Sequence, residues 1–169
     1  MAAELAEAYA LGSARVILED RGYDRVEDAD DEESDEGIVL TAYKGGTRYH
    51  VVRLEKIRID HVRQPDPQRA FFICDHAPTP SAAVLLQPHE WWTVHMLQFR
   101  PSRHALASSY EPCDRDLEAR LRRDSMVAPM LESDVVARHY AYAIGSVIRG
   151  TIRYGGQPPQ NRFYEVVAA

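Results

Sequence analysis

The chain has 169 residues, of which 45% are apolar and 27% charged, and its formal charge is −6. These values exclude collagenous, disulfide-scaffold and wholly disordered classes. No apolar run approaches the roughly 18 residues needed to cross a membrane, and the length suits one ordinary domain or two small ones. The first ten residues carry Glu4 and Glu7 and no basic cluster, which predicts no secretory leader. Cys74 and Cys113 are the two cysteines, so a reducing compartment without a disulfide framework is expected.

In chain order, Leu5, Tyr9, Leu11, Ala14, Val16, Ile17 and Leu18 follow a mostly helical spacing, and Gly22 is placed to end that helix near residue 21. Nine acids stand between Asp24 and Glu36 against Arg25 alone, so that segment carries −8 and the remainder +2. Such self-repelling carboxylates predict a solvated loop. Their order does not match a calcium-binding loop. Residues 37–43 read as a strand, Lys44-Gly45-Gly46-Thr47 as a turn and residues 49–54 as the returning strand of a hairpin. Phe71-Phe72-Ile73-Cys74 is a buried-strand run before a proline-bounded loop.

A second unit is expected after Gln87-Pro88, dividing the chain into 1–88 and 89–169. It opens with a strand at 91–97, on which Trp91 and Trp92 face opposite sides. Helices are predicted from Asp114 to Arg123 and after Ser133-Asp134, with Asp114 and Asp134 as N-caps. Strands follow at 147–153 and 163–167. The last lies near the end of the sequence and is expected at a sheet edge, where another chain can pair with it. The fold class is therefore α+β (α/β), a small amino-terminal α/β unit plus a carboxy-terminal α+β unit with a small mixed sheet.

Catalytic signatures are missing. The seven histidines (His50, His61, His76, His89, His95, His104, His139) and two cysteines lack paired zinc-ligand spacing. No H-E-x-x-H, phosphate-binding G-x-x-x-x-G-K-S/T, dinucleotide G-x-G-x-x-G or G-x-S-x-G elbow occurs. Neighbouring Glu55 and Lys56 would point to opposite faces of a strand, so they cannot serve one metal. No cofactor and no metal are expected.

Short blocks in the sequence do form a pattern. Ser133-Asp134-Val135-Val136-Ala137-Arg138-His139-Tyr140, Gly145-Ser146-Val147-Ile148-Arg149 and Arg162-Phe163-Tyr164-Glu165-Val166-Val167 resemble the carboxy-terminal signature of the fifth-largest subunit shared by the nuclear RNA polymerases. The archaeal counterpart in that family has the carboxy-terminal part alone. The family pattern runs S-D-P-V-A-R-Y-Y-G, then G-x-V-V-K/R, then T-Y-R-x-V. Phe99-Arg100-Pro101-Ser102-Arg103-His104 is similar to its L-V-P-K-H and Ala128-Pro129-Met130-Leu131 to its L-P-R-I. In the amino-terminal half, Asp20-Arg21-Gly22-Tyr23 resembles its D-R-G-Y and Thr79-Pro80-Ser81-Ala82 its T-P-S-A. The chain departs from the pattern at Val135 (proline in the family), at Ala141 (glycine) and at Gly150, which interrupts an apolar run and suggests a bulge. The amino-terminal unit is also shorter than in nuclear enzymes, a compression that fits a large-DNA-virus version.

The resemblance implies a non-catalytic transcription subunit. Its amino-terminal unit would help form the lower jaw around downstream DNA, and its carboxy-terminal unit would anchor to the largest polymerase subunit. It implies a nuclear location for a cellular enzyme, and a virion or cytoplasmic virus factory for a viral one. Thr79, Pro80 and Ser81 would form a DNA-proximal loop making weak nonspecific contact, or alternatively a stiffened surface loop. Asp134, Arg138, Tyr140, Arg149 and Tyr164 would meet partner subunits. Asp134 and Arg138 equally fit a local cap and an i,i+4 pair. A divergent nuclease-fold protein and a free-standing regulatory module are the alternative functions, and no membrane partner is expected.

Overall fold

The computed structural model describes residues 2–30, 37–57, 68–79, 81–83, 90–103 and 107–168. The Gln87-Pro88 break, Pro80, His61, His89, His104 and the acidic stretch 31–36 lie outside the described residues. The fold is α+β. Two compact units divide at residue 98, giving 1–98 and 99–169. The division thus falls ten residues beyond the Gln87-Pro88 break, because the strand carrying the tryptophans belongs to the first sheet.

The first unit comprises α1 (Ala2–Asp20), β1 (Arg25–Asp28), β2 (Ile38–Lys44), β3 (Thr47–Leu54), β4 (Arg69–Cys74) and β5 (Trp91–Thr93). These strands form one sheet in the order β1-β2-β3-β4-β5. The β1–β2 and β2–β3 pairs are antiparallel, and β3–β4 and β4–β5 are parallel. Alternation sends Val51, Phe71, Ile73 and Trp92 to one face, with Arg53 reaching Glu7 of α1 on that side. Ala10, Ala14, Ile17 and Leu18 form the buried stripe of α1. The other face carries Phe72, Cys74 and Ile57, against which Val52, Leu54 and Trp91 pack. The tryptophans therefore do part, Trp92 into the core at 1% exposed and Trp91 half-buried on the opposite face.

Two expectations change in this unit. Residues 25–28, inside the acidic run, form the edge strand β1 rather than loop. Val26 pairs with Ala42, the Arg15 guanidinium donates to the Val26 carbonyl at 2.6 Å, and Arg25 lies over the Tyr43 ring at 5.0 Å. Those partners are distant in sequence and outweigh the local repulsion. The strand expected over 91–97 stops at Thr93, whose hydroxyl oxygen accepts the Met96 N–H at 3.1 Å and turns the chain into a 3₁₀ turn at Met96–Gln98.

The second unit comprises β6 (Ala107–Pro112), α2 (Arg115–Arg123), β7 (Ala128–Leu131), α3 (Val135–His139), β8 (Val147–Ile152) and β9 (Gln160–Val167). Its sheet order is β6-β8-β9-β7, mixed because β7 and β9 run parallel. The expectation of an edge at the last strand is overturned. β9 is interior, paired along both sides, and β6 and β7 form the edges. Proline at 129 suits β7 to such an edge. Gly150 makes no bulge with β9, where the register from Val147 to Ile152 is unbroken. A Cβ there would lie 3.1 Å from Tyr110 and 3.2 Å from Tyr164, so the glycine makes room for two tyrosine rings.

Candidate functional site

The face of the second sheet that carries α3 collects most of the residues singled out from the sequence. Met130, Val136, Ala137, Ile148 and Val166 form its core, and Tyr110, Tyr140, Tyr142 and Tyr164 pack against that core. The helix α3 starts because Asp134 is extended (φ −60°, ψ 139°) and its Oδ1 accepts the Val136 N–H at 2.8 Å. Its carbonyl accepts the Arg138 N–H at 3.0 Å. Val136, Ala137 and His139 point inward, while Arg138 and Tyr140 are half-buried.

The end of α3 is a two-bond reversal. The Tyr142 N–H donates to the Ala137 carbonyl at 2.9 Å and the Ala141 N–H to Arg138 at 3.1 Å, with Ala141 at φ +53°. That is the Schellman arrangement, whose penultimate position favours glycine. Tyr142 then folds back. Its hydroxyl donates to the Tyr110 carbonyl at 2.9 Å, and its ring stacks on Tyr140 with centroids 5.3 Å apart. Burial pushes the Tyr142 phenol far above its ordinary range. The Tyr110 phenol is raised too, first by burial, then by the nearby Tyr164 and Asp134 charges.

Beside α3 lies a groove of about 310 Å³ lined by Pro129, Met130, Leu131, Ser133, Asp134 and Tyr164. Among the expected interface residues, Asp134 and Tyr164 share this groove, and Arg138 and Tyr140 ride on the helix that borders it. Arg149 does not join them. It alternates to the opposite face of β8, where it pairs with Glu111 across the β6–β8 ladder at 2.7 Å.

The expected DNA-proximal loop follows β4. Thr79 and Ser81 are exposed, but their hydroxyls also serve the chain locally. Thr79 Oγ1 accepts the Ala82 N–H at 3.4 Å and lies 3.3 Å from Ser81 Oγ, and its carbonyl accepts the Ala83 N–H at 2.8 Å. Thr79 is thus the cap of a single helical turn at 81–83.

Three contacts escaped sequence reasoning. Arg21, in the Asp20-Arg21-Gly22-Tyr23 block, donates to both oxygens of Glu90 at 2.8 Å, and Glu90 Oε1 also accepts from Trp92 Nε1 at 2.8 Å. Arg122 of α2 bonds Glu118, Glu165 and the Gly145 carbonyl. The tyrosine cluster gathers residues 110, 140, 142 and 164. Apart from the i,i+4 pair of Arg122 with Glu118 and the neighbours Tyr140 and Tyr142, none carries a local signal, since the partners stand tens of residues apart. Among the described residues no three His, Cys, Asp or Glu side chains gather as a metal site. Cys74 is buried, and burial pushes the half-buried Cys113 thiol up. No protein-family model matches this chain, and no curated protein matches it either.

Proposed function

We propose that the chain is a non-catalytic subunit of a multisubunit DNA-directed RNA polymerase. Its carboxy-terminal unit docks on the largest subunit, and its amino-terminal unit stands beside downstream duplex DNA. The observation that carries this reading is the backbone at Ala141. The polymerase-subunit pattern S-D-P-V-A-R-Y-Y-G, laid on Ser133-Asp134 and the residues after it, calls for glycine at 141, and the chain there is left-handed at φ +53°. The glycine position of the pattern falls on a residue whose backbone is left-handed, a conformation that L-residues rarely take.

The other blocks behave consistently with an assembly module. Gly22 ends α1 at φ +78° in the same two-bond reversal, with Tyr23 donating to Leu18 and Gly22 to Glu19. Thr79 caps a turn after an apolar strand. With β9 interior, the surface offered for docking is the groove beside α3, where Asp134 and Tyr164 combine charge with apolar surface, the combination common in protein interfaces. A chain of net charge −6 gains little from phosphate neutralisation on its own. Its DNA contact is weak and useful once the polymerase holds the duplex nearby.

Native mass spectrometry of the tagged chain from its own cells tests this reading. The expected result is a large assembly containing the largest polymerase subunit, depleted when Arg138 is changed to Glu. Recovery of the chain alone, or metal-dependent cleavage of DNA by it, would overturn the proposal.

A further inference from the structure

The reversal after α2 has a chemistry that the polymerase reading does not use. Its sequence is Arg122-Arg123-Asp124-Ser125-Met126. Ser125 sits at φ +53° in a Schellman end, its N–H donating to Arg122 at 3.2 Å while Met126 donates to Leu121 at 2.9 Å. Ser125 is exposed, Met126 is 59% exposed, and the Arg123 side chain is 75% exposed with Asp124 at 3.3 Å. A hydroxyl thus stands at an accessible helix end, with arginines three and two residues before it and an apolar side chain just after.

We infer that Ser125 is a phosphorylation site for an arginine-directed serine kinase, and that the phosphate draws Arg122 away from the contacts that hold α2 to the sheet. Such kinases select substrates by charge pattern, meeting paired arginine forks with carboxylates. In the transfer, Ser125 Oγ bonds to the γ-phosphorus of a nucleoside triphosphate and the bond to the β-phosphate oxygen breaks. The nucleoside diphosphate leaves, and the hydroxyl proton passes to the kinase base. The site lies just past the last turn of a nine-residue helix, where local opening costs least, so the segment extends into a kinase cleft without global unfolding.

The consequence follows from where Arg122 points. The same guanidinium serves Glu118, Glu165 on β9 and the Gly145 carbonyl at 2.6 Å, tying α2 to the turn that leads into β8. A phosphoserine three residues away offers this arginine a stronger acceptor. It also places negative charge at a helix carboxy-terminus, where the dipole opposes it. Both effects loosen the contacts of Arg122 with Glu165 and Gly145.

The test treats the full native chain with ATP and the catalytic subunit of a cyclic-nucleotide-dependent, arginine-directed serine kinase, followed by intact mass and peptide mapping. One phosphoryl group on Ser125 is expected. Ser125→Gly, which the left-handed backbone favours, removes the acceptor without endangering the fold and abolishes incorporation. Arg123→Ala slows incorporation about tenfold or more, the loss of one charged contact in the transition state. Glu165→Gln speeds it, because Arg122 loses its charged partner on β9 and keeps only Glu118 and the Gly145 carbonyl. Amide exchange in the phosphorylated chain quickens at 115–126 and 143–147. No incorporation, incorporation that persists in Ser125→Gly, or phosphate on Ser125 with exchange unchanged at 143–147 would each overturn the inference.

Discussion

Replacing Ala141 by glycine removes a methyl group that is exposed, so no packing is lost. What changes is the backbone term. A left-handed conformation costs an L-residue roughly 1–2 kcal/mol, and at φ +53° Ala141 bears that cost. Glycine relieves it but adds about 0.4–1 kcal/mol of unfolded-chain freedom. The balance is a stabilisation of about 0.5–1 kcal/mol, which for a unit of this size raises the melting temperature by roughly 3–6 °C. The control is Gly22→Ala. Gly22 occupies the same position at the end of α1, φ +78°, with nothing within 4 Å of an added Cβ. Its effect is the same backbone term with the opposite sign, a loss of about 0.5–1 kcal/mol. Calorimetry of both variants beside the parent chain measures the pair. A neutral or destabilising Ala141→Gly alongside a destabilising Gly22→Ala would refute the reasoning, and with it the agreement between pattern and backbone on which the polymerase reading rests.

Other substitutions probe the two cores. Gly150→Ala pushes a methyl group to 3.1 Å from Tyr110 and 3.2 Å from Tyr164, and overpacking of this kind costs about 1–3 kcal/mol; denaturant titration and the near-ultraviolet tyrosine signal read it. Arg21→Ala strips both hydrogen bonds from Glu90 and leaves a carboxylate only 27% exposed with Trp92 as its donor, an expected loss of about 1–3 kcal/mol. Arg21→Lys does not restore it, because an ammonium cannot reproduce the fork. Tyr142→Phe loses the bond to the Tyr110 carbonyl, about 1 kcal/mol at neutral pH. It also changes the alkaline limb. The half-buried phenol titrates above its ordinary value, so stability is whole below about pH 10 and falls above it, where the unfolded phenol ionises and the folded one does not. Stability curves from pH 8 to 12 are therefore expected to fall less steeply for Tyr142→Phe than for the parent; parallel curves would count against a half-buried, neutral Tyr142.

Elements with a strong local signal were legible in the sequence. The helices α1 and α2, the hairpin of β2 and β3, and the buried run in β4 follow from periodicity, caps and a Gly-Gly turn. The helix α3 was legible through Asp134 although it spans only five residues. The strands β1, β6 and β7 were not. Arg-Val-Glu-Asp offers a single apolar side chain, and Ala-Pro-Met-Leu contains a proline. Each becomes a strand because of a ladder partner, Tyr43 to Leu40 for β1 and Tyr164 to Val167 for β7. For the same reason no local pattern could reveal that β9 is interior. The β7 strand that covers it lies more than thirty residues earlier, and parallel pairing leaves no turn to read. Gly150 was legible as an anomaly but not as an aromatic niche, since the rings that fill it come from positions 110 and 164.

Asp134 poses the sharpest remaining question, because a cap and an interface residue look identical in sequence. They separate on substitution. Asparagine caps a helix about as well as aspartate, so Asp134→Asn keeps the bond to the Val136 N–H, 2.8 Å in the parent, while deleting the charge. Asp134→Ala deletes both, and loss of a cap costs about 1 kcal/mol. If the residue serves only its own helix, Asp134→Asn is silent in stability and in polymerase recovery, and Asp134→Ala lowers stability alone. If the groove beside α3 meets the largest subunit through this carboxylate, Asp134→Asn leaves thermal unfolding unchanged and still depletes the co-purified subunit. The second pattern is expected, because Asp134 is exposed and lines the groove beside Tyr164, where an isolated capping residue needs no such neighbour. Recovery undiminished by Asp134→Asn would assign this residue to folding and move the docking surface elsewhere.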